Sequence, residues 1–258
     1  MNELVKRIIT ALILVVIVWA WYFHASQPWF AGGLALLGFV TTCELVILMK
    51  LHQPAGYILS ALGLWVAFFY QPQIGQLLLI VFAWFFLFVL SSRRHSPSFS
   101  DFIGAVWMFS WLFAFAFVIA DTHVSAAGKG LVIGACLAVW ASDVAAYFVG
   151  RAWGRNKLCP AISPGKSVEG LLGGLVAGIP VAVFCWVSWN IFPIVPACLL
   201  AFFAVVAGVL GDLSESSIKR MVGAKDSGKL LPGHGGMLDR LDAIIMAVPV
   251  VWVGWSMV

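Results

Sequence analysis

Long apolar runs alternate along the chain with short polar breaks. Nine runs stand out, at roughly 8–25, 29–49, 55–70, 74–90, 100–120, 130–149, 170–189, 191–210 and 241–257. Crossing a hydrocarbon core of about 30 Å takes roughly 20 helical residues, so most of these runs are long enough. Their apolarity is continuous, without the alternation of a barrel strand, and a backbone in lipid must satisfy its own hydrogen bonds; the runs therefore predict helices. The third run is short and bracketed by Pro54 and Pro72, which predicts a segment that is tilted, tightly paired with the fourth or partly re-entrant. The expected fold class is all-α: a polytopic integral membrane helical bundle of about nine transmembrane helices.

The polar breaks test this topology. With the N-terminus in the cytoplasm and the sides alternating, every Lys and Arg except Lys129 falls in an inner segment. The positive-inside rule then fixes the orientation, N-terminus inside and C-terminus outside. Lys6 and Arg7 before the first run resemble a signal-peptide start, but no small-x-small cleavage site follows, so a retained first helix is expected. Composition agrees: 62% of residues are hydrophobic and 10% charged, where soluble domains are nearer half and a quarter. Trp19, Trp21 and Trp29, near the ends of the first two runs, read as interfacial anchors. The net charge of +4 is spread over clusters between runs, a topology signal that excludes nucleic acid as a partner. The five cysteines are scattered without metal spacing and imply no disulfide framework.

Two inner segments, 150–169 and 211–240, are long, polar and rich in Gly, Ser and Pro, as functional loops are. Seven of the eleven acidic residues lie between Asp143 and Asp242. That asymmetry divides the chain into an N-terminal transmembrane scaffold, 1–125, of about five helices and a C-terminal catalytic region, 126–258, that carries both loops.

Asp143 lies inside the sixth run, where an ionised carboxylate costs roughly 3 kcal/mol or more and needs a cavity, a partner or a metal. Glu44 and Asp101, at span ends, are expected to be structural. The segment 150–169 supplies Arg151, Arg155, Lys157 and Lys166 with Ser163 and Ser167 just before a helix, and backbone amides there add to an anion-binding arrangement. Gly165-Lys166-Ser167 superficially matches a P-loop, but the earlier glycine spacing is wrong and no strand is expected before it. Asp212, Glu215, Ser216 and Lys219 follow a three-to-four spacing on one face of a helix end. Asp239 and Asp242, three apart, predict a shared face at the start of the last span. Two helix ends at one membrane surface can converge carboxylates, which suits Mg²⁺ bound through one or two of them plus substrate phosphates. Neighbouring Lys and Arg then hold a polyanion. Pro232-Gly-His234-Gly235-Gly236 reads as a hinge with one titratable group.

The last third reads Ser216-x-x-Lys219-Arg220, four residues, Lys225-Asp226, then Gly228, Leu231-Pro232 and His234-Gly235-Gly236, closing on Asp239-Arg240-x-Asp242. Upstream stand Asp143, Tyr147, Gly150-Arg151, Gly154-Arg155, Lys157-Leu158, Pro160, Ile162-Ser163-Pro164, Lys166-Ser167 and Glu169-Gly170. Over residues from about 140 to 245 the chain resembles the bacterial type of phosphatidate cytidylyltransferase, the CDP-diacylglycerol synthase family. Many members carry Lys-Lys where this chain has Gly165-Lys166, and Thr where it has Ser167.

The resemblance implies a Mg²⁺-dependent nucleotidyltransferase of phospholipid biosynthesis, with CTP and phosphatidic acid as substrates and CDP-diacylglycerol and pyrophosphate as products. It implies Asp212 and Asp239 as metal ligands, with a second metal or a monovalent cation as a further option. Asp143, Lys166, Ser167, Lys219, Arg220 and Asp242 are the implied catalytic set. Arg151, Arg155, Lys157, Ser163, Ser216, Lys225, His234, Gly235, Gly236 and Arg240 are expected to contact substrate. A homodimer in the bacterial cytoplasmic (inner) membrane, its active site facing the cytoplasm, is also implied. The alternatives are a related membrane cytidylyltransferase with another lipid phosphate acceptor, and a secondary transporter of an anionic metabolite. The transporter would require repeat symmetry and broken helices near the midplane, and no such repeat is apparent between the two halves.

Overall fold

The computed structural model describes residues 15–92, 98–231 and 235–257. The chain runs through helices α1 (Val15–His24), α2 (Gln27–Leu48), α3 (Pro54–Tyr70), α4 (Gly75–Ser92), α5 (Phe99–Thr122) and α6 (Ala126–Trp153). An antiparallel hairpin follows, β1 (Lys157–Cys159) and β2 (Ser163–Ser167), and then α7 (Val168–Ser188) and α8 (Ile194–Met221). The single turn α9 (Leu238–Leu241) and α10 (Ile244–Trp255) complete it. Among the described residues α2, α4, α5, α6, α7 and α8 are long and apolar enough to cross a membrane, while α1, α3 and α10 are shorter apolar helices. The all-α membrane class expected from the pattern is the one the chain adopts. Large apolar side chains face outward, with Val176 77% and Phe184 73% exposed. In water such a surface would aggregate; against acyl chains it matches its solvent.

Two compact units share the chain: Met1–Ala120 with Met221–Arg240, and Asp121–Arg220 with Leu241–Val258. The first is built on aromatic packing. Trp65 is buried against Phe68 and Phe113, its ring over Gly38, where a Cβ would overlap the indole. Its Nε1 donates to Thr42 Oγ1 at 3.1 Å, and Trp84 Nε1 donates to Ser60 Oγ at 3.1 Å. A buried indole N–H has no water to bond, so each meets a hydroxyl from a neighbouring helix.

In the second unit, α7 lays Gly170, Gly174 and Gly178, all buried and four residues apart, against α6. A Cβ at Gly170 would lie 2.9 Å from the Ala146 carbonyl oxygen, and one at Gly178 2.7 Å from that of Ala138. Small residues at this spacing let two membrane helices approach backbone to backbone, where dispersion replaces the absent hydrophobic drive.

Three local outcomes differ from expectation. The helices α6 and α8 have 28 residues each, roughly eight more than the hydrocarbon core requires, so they extend past the expected ends at 149 and 210. The helix end expected from the Asp212–Lys219 spacing is therefore continuous with α8, which takes up the start of the inner segment 211–240 and presents its charges from a rigid element. Second, the segment after α6 forms a hairpin instead of an irregular loop. Cys159 precedes Pro160 and Ser163 precedes Pro164; a following proline biases a residue toward extended backbone, and these two residues pair across the turn. Third, Asp239 and Asp242 do not share one continuous helix. The Ala243 amide donates to Asp242 Oδ1 at 2.9 Å, a local bond that competes with the helical ladder, and a turn at 242–243 separates α9 from α10.

Substituting Gly178 by Ala should lower the thermal midpoint of detergent-purified protein, because overpacking of this kind costs about 1–3 kcal/mol. Gly63, where a Cβ would meet nothing within 4 Å, should tolerate Ala without loss. Unchanged midpoints in both variants would contradict the close crossing of α6 and α7.

Candidate active site

In the second unit α6, the hairpin, α7 and α8 enclose an open cleft of about 660 Å³. Its polar lining comes from Asp143 and Arg151 of α6, Lys157, Ser163, Lys166 and Ser167 of the hairpin, and Asp212 of α8. Ala146, Leu158, Leu171 and Val209 add apolar lining. The geometry follows from the elements: the extra turns of α6 and α8 carry charge beyond the apolar body, and the hairpin returns cations beside them.

The centre is an ion pair. Lys166 Nζ lies 2.5 Å from Asp212 Oδ2, and Ser216 Oγ donates to Asp212 Oδ1 at 3.2 Å. At the same end of α8, Glu215 is fully buried and receives Lys219 Nζ at 2.7 Å. Gly211 brings this end against the turn before α10; a Cβ there would overlap the Asp242 carbonyl oxygen. Asp242 thus sits among other acids. Burial first, and then the Asp212 carboxylate, push it up to about 7, with Asp143 adding to the rise and the Ala243 amide and Lys219 opposing it. Mutual repulsion among carboxylates is relieved by protons or by a cation.

Among the described residues no three His, Cys, Asp or Glu side chains are grouped to hold a metal on their own. Mg²⁺ in its usual mode is bound by one or two carboxylates, with substrate phosphate and water completing the octahedron, and Asp143 and Asp212 line this cleft together.

The segment before α7 departs from expectation in two ways. Gly165-Lys166-Ser167 lies within strand β2, which runs straight into α7, and β1 precedes it. The P-loop reading still fails, because Pro160 occupies the place of its first glycine. Nor are the first amides of α7 open to an anion: Val168 N donates to Asn156 O at 2.8 Å and Gly170 N to Ser167 Oγ at 3.1 Å. Glu169 adds a negative charge there and accepts from the Arg155 and Asn156 amides and from Asn156 Nδ2. Anion binding in this cleft therefore belongs to side chains. Arg151 Nη1 donates to Tyr147 Oη at 2.8 Å, and Arg220 Nε donates to Ile162 O at 3.4 Å, tying α8 to the hairpin turn. Arg155 is exposed and is not part of the cleft lining.

The remaining expected residues lie in the first unit, in the segment after α8. Lys225, Asp226 and Arg240 are exposed. His234 lies outside the described residues. Gly235 has φ +82, a left-handed value that favours glycine, and a Cβ there would lie 2.6 Å from Asp239 Oδ2. Asp239 accepts from Ser227 N at 2.9 Å and Gly236 N at 2.8 Å. Amides that hold a carboxylate in this way orient it, as outer groups orient a metal ligand.

Four residues outside the expected set take part. Glu44 of α2 accepts from the Ser227 hydroxyl and, at 2.8 Å, from Met237 N. Ser227, Glu169 and Glu215 organise the segments around them. Glu44, expected from its place at a span end to be structural, makes its contacts with Ser227 and Met237 in one segment of the same unit.

The model of the cytidylyltransferase family matches residues 5–258. A phosphatidate cytidylyltransferase of Pseudomonas aeruginosa is 35% identical over 97% of this chain and 98% of its own length. Its namesakes in Haemophilus influenzae and Bacillus subtilis are 32% and 31% identical, over 95% and 98% of this chain and 96% and 97% of their own lengths. With a match that spans the transmembrane helices as well as the charged segments, the chain belongs to the cytidylyltransferase family.

Proposed function

We propose that this chain transfers the cytidylyl group of CTP to phosphatidic acid, forming CDP-diacylglycerol and pyrophosphate for phospholipid synthesis. The observation that carries this reading is the cleft of the second unit. Acids and cations line it together with the apolar Ala146, Leu171 and Val209, at the end of helices that otherwise face lipid. A reaction between a membrane-held phosphate and a water-soluble triphosphate needs such a place.

A phosphate oxygen of phosphatidate attacks the α-phosphorus of CTP in line; the new P–O bond forms as the bond to the β-phosphate oxygen breaks, and pyrophosphate leaves. The nucleophile is already anionic at neutral pH, so the protein's tasks are positioning and charge neutralisation. Lys166, Arg151 and Lys157 line the cleft and supply positive charge. Lys166 is poised to exchange Asp212 for a phosphate oxygen, while Lys219 keeps the buried Glu215 neutralised. Ser163 offers a hydroxyl, and Ser167 holds the start of α7. Asp212 and Asp239 are the proposed ligands of Mg²⁺, with Asp143 and Asp242 as supporting acids. The bound cation would neutralise phosphate charge and polarise the phosphoryl group.

In this reading residues 126–258 supply the catalytic groups, residues 1–125 the scaffold, and Ser216, Lys225, His234 and Arg240 add substrate contacts. The charge asymmetry of the loops supports a cytoplasmic active site in the bacterial inner membrane. The Lys50 Nζ bond to Val222 O at 3.5 Å supports it as well, since it joins two segments assigned to the same side. A homodimer is carried over from the family resemblance.

Detergent-purified protein given radiolabelled CTP, phosphatidic acid and Mg²⁺ should form a labelled, lipid-extractable product that requires all three. Folded protein that forms none would exclude this acceptor and turn the search to another lipid phosphate. Asp212→Asn should lower kcat by about a hundredfold or more and raise the Mg²⁺ concentration for half-maximal rate. A variant with wild-type Mg²⁺ dependence and near-normal turnover would remove Asp212 from the metal site.

A further inference from the structure

Within the first unit, one carboxylate from the membrane scaffold holds the segment that bears the family motif. Glu44 stands one turn before the end of α2, half-buried, and reaches residues nearly two hundred positions later in the chain. One of its oxygens receives the Ser227 hydroxyl, and the other receives Met237 N at 2.8 Å. In sequence these two contacts flank the glycine-rich stretch. Ser227 is itself buried and bonds Asp239 twice: its amide donates to Asp239 Oδ2 at 2.9 Å, and its hydroxyl oxygen accepts from Asp239 N at 3.3 Å. Gly236 is fitted to the same contact, since a Cβ there would overlap both Glu44 Oε1 and Ser227 Oγ, and a Cβ at Gly228 would lie 3.0 Å from the Glu44 carboxyl carbon. Glycine at both positions leaves the carboxylate room to enter.

We infer that Glu44 is a positioning residue that acts through Ser227 and the Met237 amide to fix the orientation of Asp239. A scaffold helix is the right anchor, because its own hydrogen bonds hold it rigid in lipid, whereas a Gly-rich segment has no such restraint. A carboxylate suits the task because one group accepts two donors at once, each bond charge-assisted. The activity arm of the test rests on the function proposed above; the exchange arm does not.

Hydrogen–deuterium exchange of the detergent-purified full chain, with Mg²⁺ and nucleotide both left out, tests the contact directly. Glu44→Ala should speed exchange in peptides covering 225–240 and leave other peptides unchanged. Ser227→Ala, which leaves α2 intact, should do the same and keeps the test readable if the first variant folds poorly. Glu44→Gln keeps an acceptor for Met237 N and a polar partner for Ser227, and should restore near-wild-type exchange. In the transfer assay Glu44→Ala should raise the Mg²⁺ needed for half-maximal rate and lower kcat by about tenfold to a hundredfold, with Gln within about threefold of wild type. Wild-type exchange over 225–240 in both alanine variants would overturn the inference. Acceleration throughout the chain would overturn it too, by reducing Glu44 to general fold support. A Gln variant with restored exchange but the Ala variant's turnover would show that the charge acts directly, again against a positioning role. Wild-type protein that forms no lipid product would remove the proposed function and leave the exchange result standing.

Discussion

A carboxylate withdrawn from bulk water needs a donor or a cation close by, and the polar architecture of this protein depends on meeting that need repeatedly. Asp212 is met by Lys166 and Ser216, and Glu215 by Lys219. Glu169 collects amides at the hairpin corner, Asp239 collects amides from Ser227 and Gly236, and Glu44 takes the Ser227 hydroxyl and the Met237 amide. Each acid is thereby a structural organiser as well as a charge. The cost of leaving the buried Glu215 or the partly buried Asp212, Asp239 and Glu44 unmatched is what makes their arrangements specific, whereas the solvent-exposed bonds of Glu169 gain from charge assistance.

The second element of the design is close backbone approach. Gly170, Gly174 and Gly178 let α7 lie against α6, so that the hairpin between them opens beside Asp143. Gly211 performs the same service for the turn that carries Asp242. In water the hydrophobic effect would pull helices together whatever their faces; in lipid, closeness has to come from shape, so small residues decide where charged ones end up. The active region of a membrane enzyme can therefore be specified in part by residues that bear no functional group.

Chemistry and placement meet in the cleft of the second unit. In-line phosphoryl transfer between two anions asks for positive charge, orientation and partial exclusion of water. A cleft lined by Arg151, Lys157 and Lys166, by Asp143 and Asp212, and by the apolar Ala146, Leu171 and Val209 supplies the means for each. Lys166 is paired with Asp212 and Lys219 with Glu215, so two of the acids here each have a cation beside them.

The membrane class, the helices and the family were legible from residue order alone, because each depends on local properties: run length against bilayer thickness, continuous apolarity, and a motif whose spacing survives in one dimension. The Asp212–Ser216 spacing was legible too, since helical periodicity places such residues on one face before any tertiary contact forms. The hairpin was half-written in Cys159-Pro160 and Ser163-Pro164, but pairing those residues needed the anchors at both ends. What only the tertiary structure decided is which groups answer which charges. Nothing in the order of residues says that the α7 amides are already taken, that Lys166 meets Asp212, or that Glu44 reaches Ser227 and Met237. Those partners are far apart in the chain, and a hydrogen bond depends on distances of a few tenths of an ångström that packing alone sets.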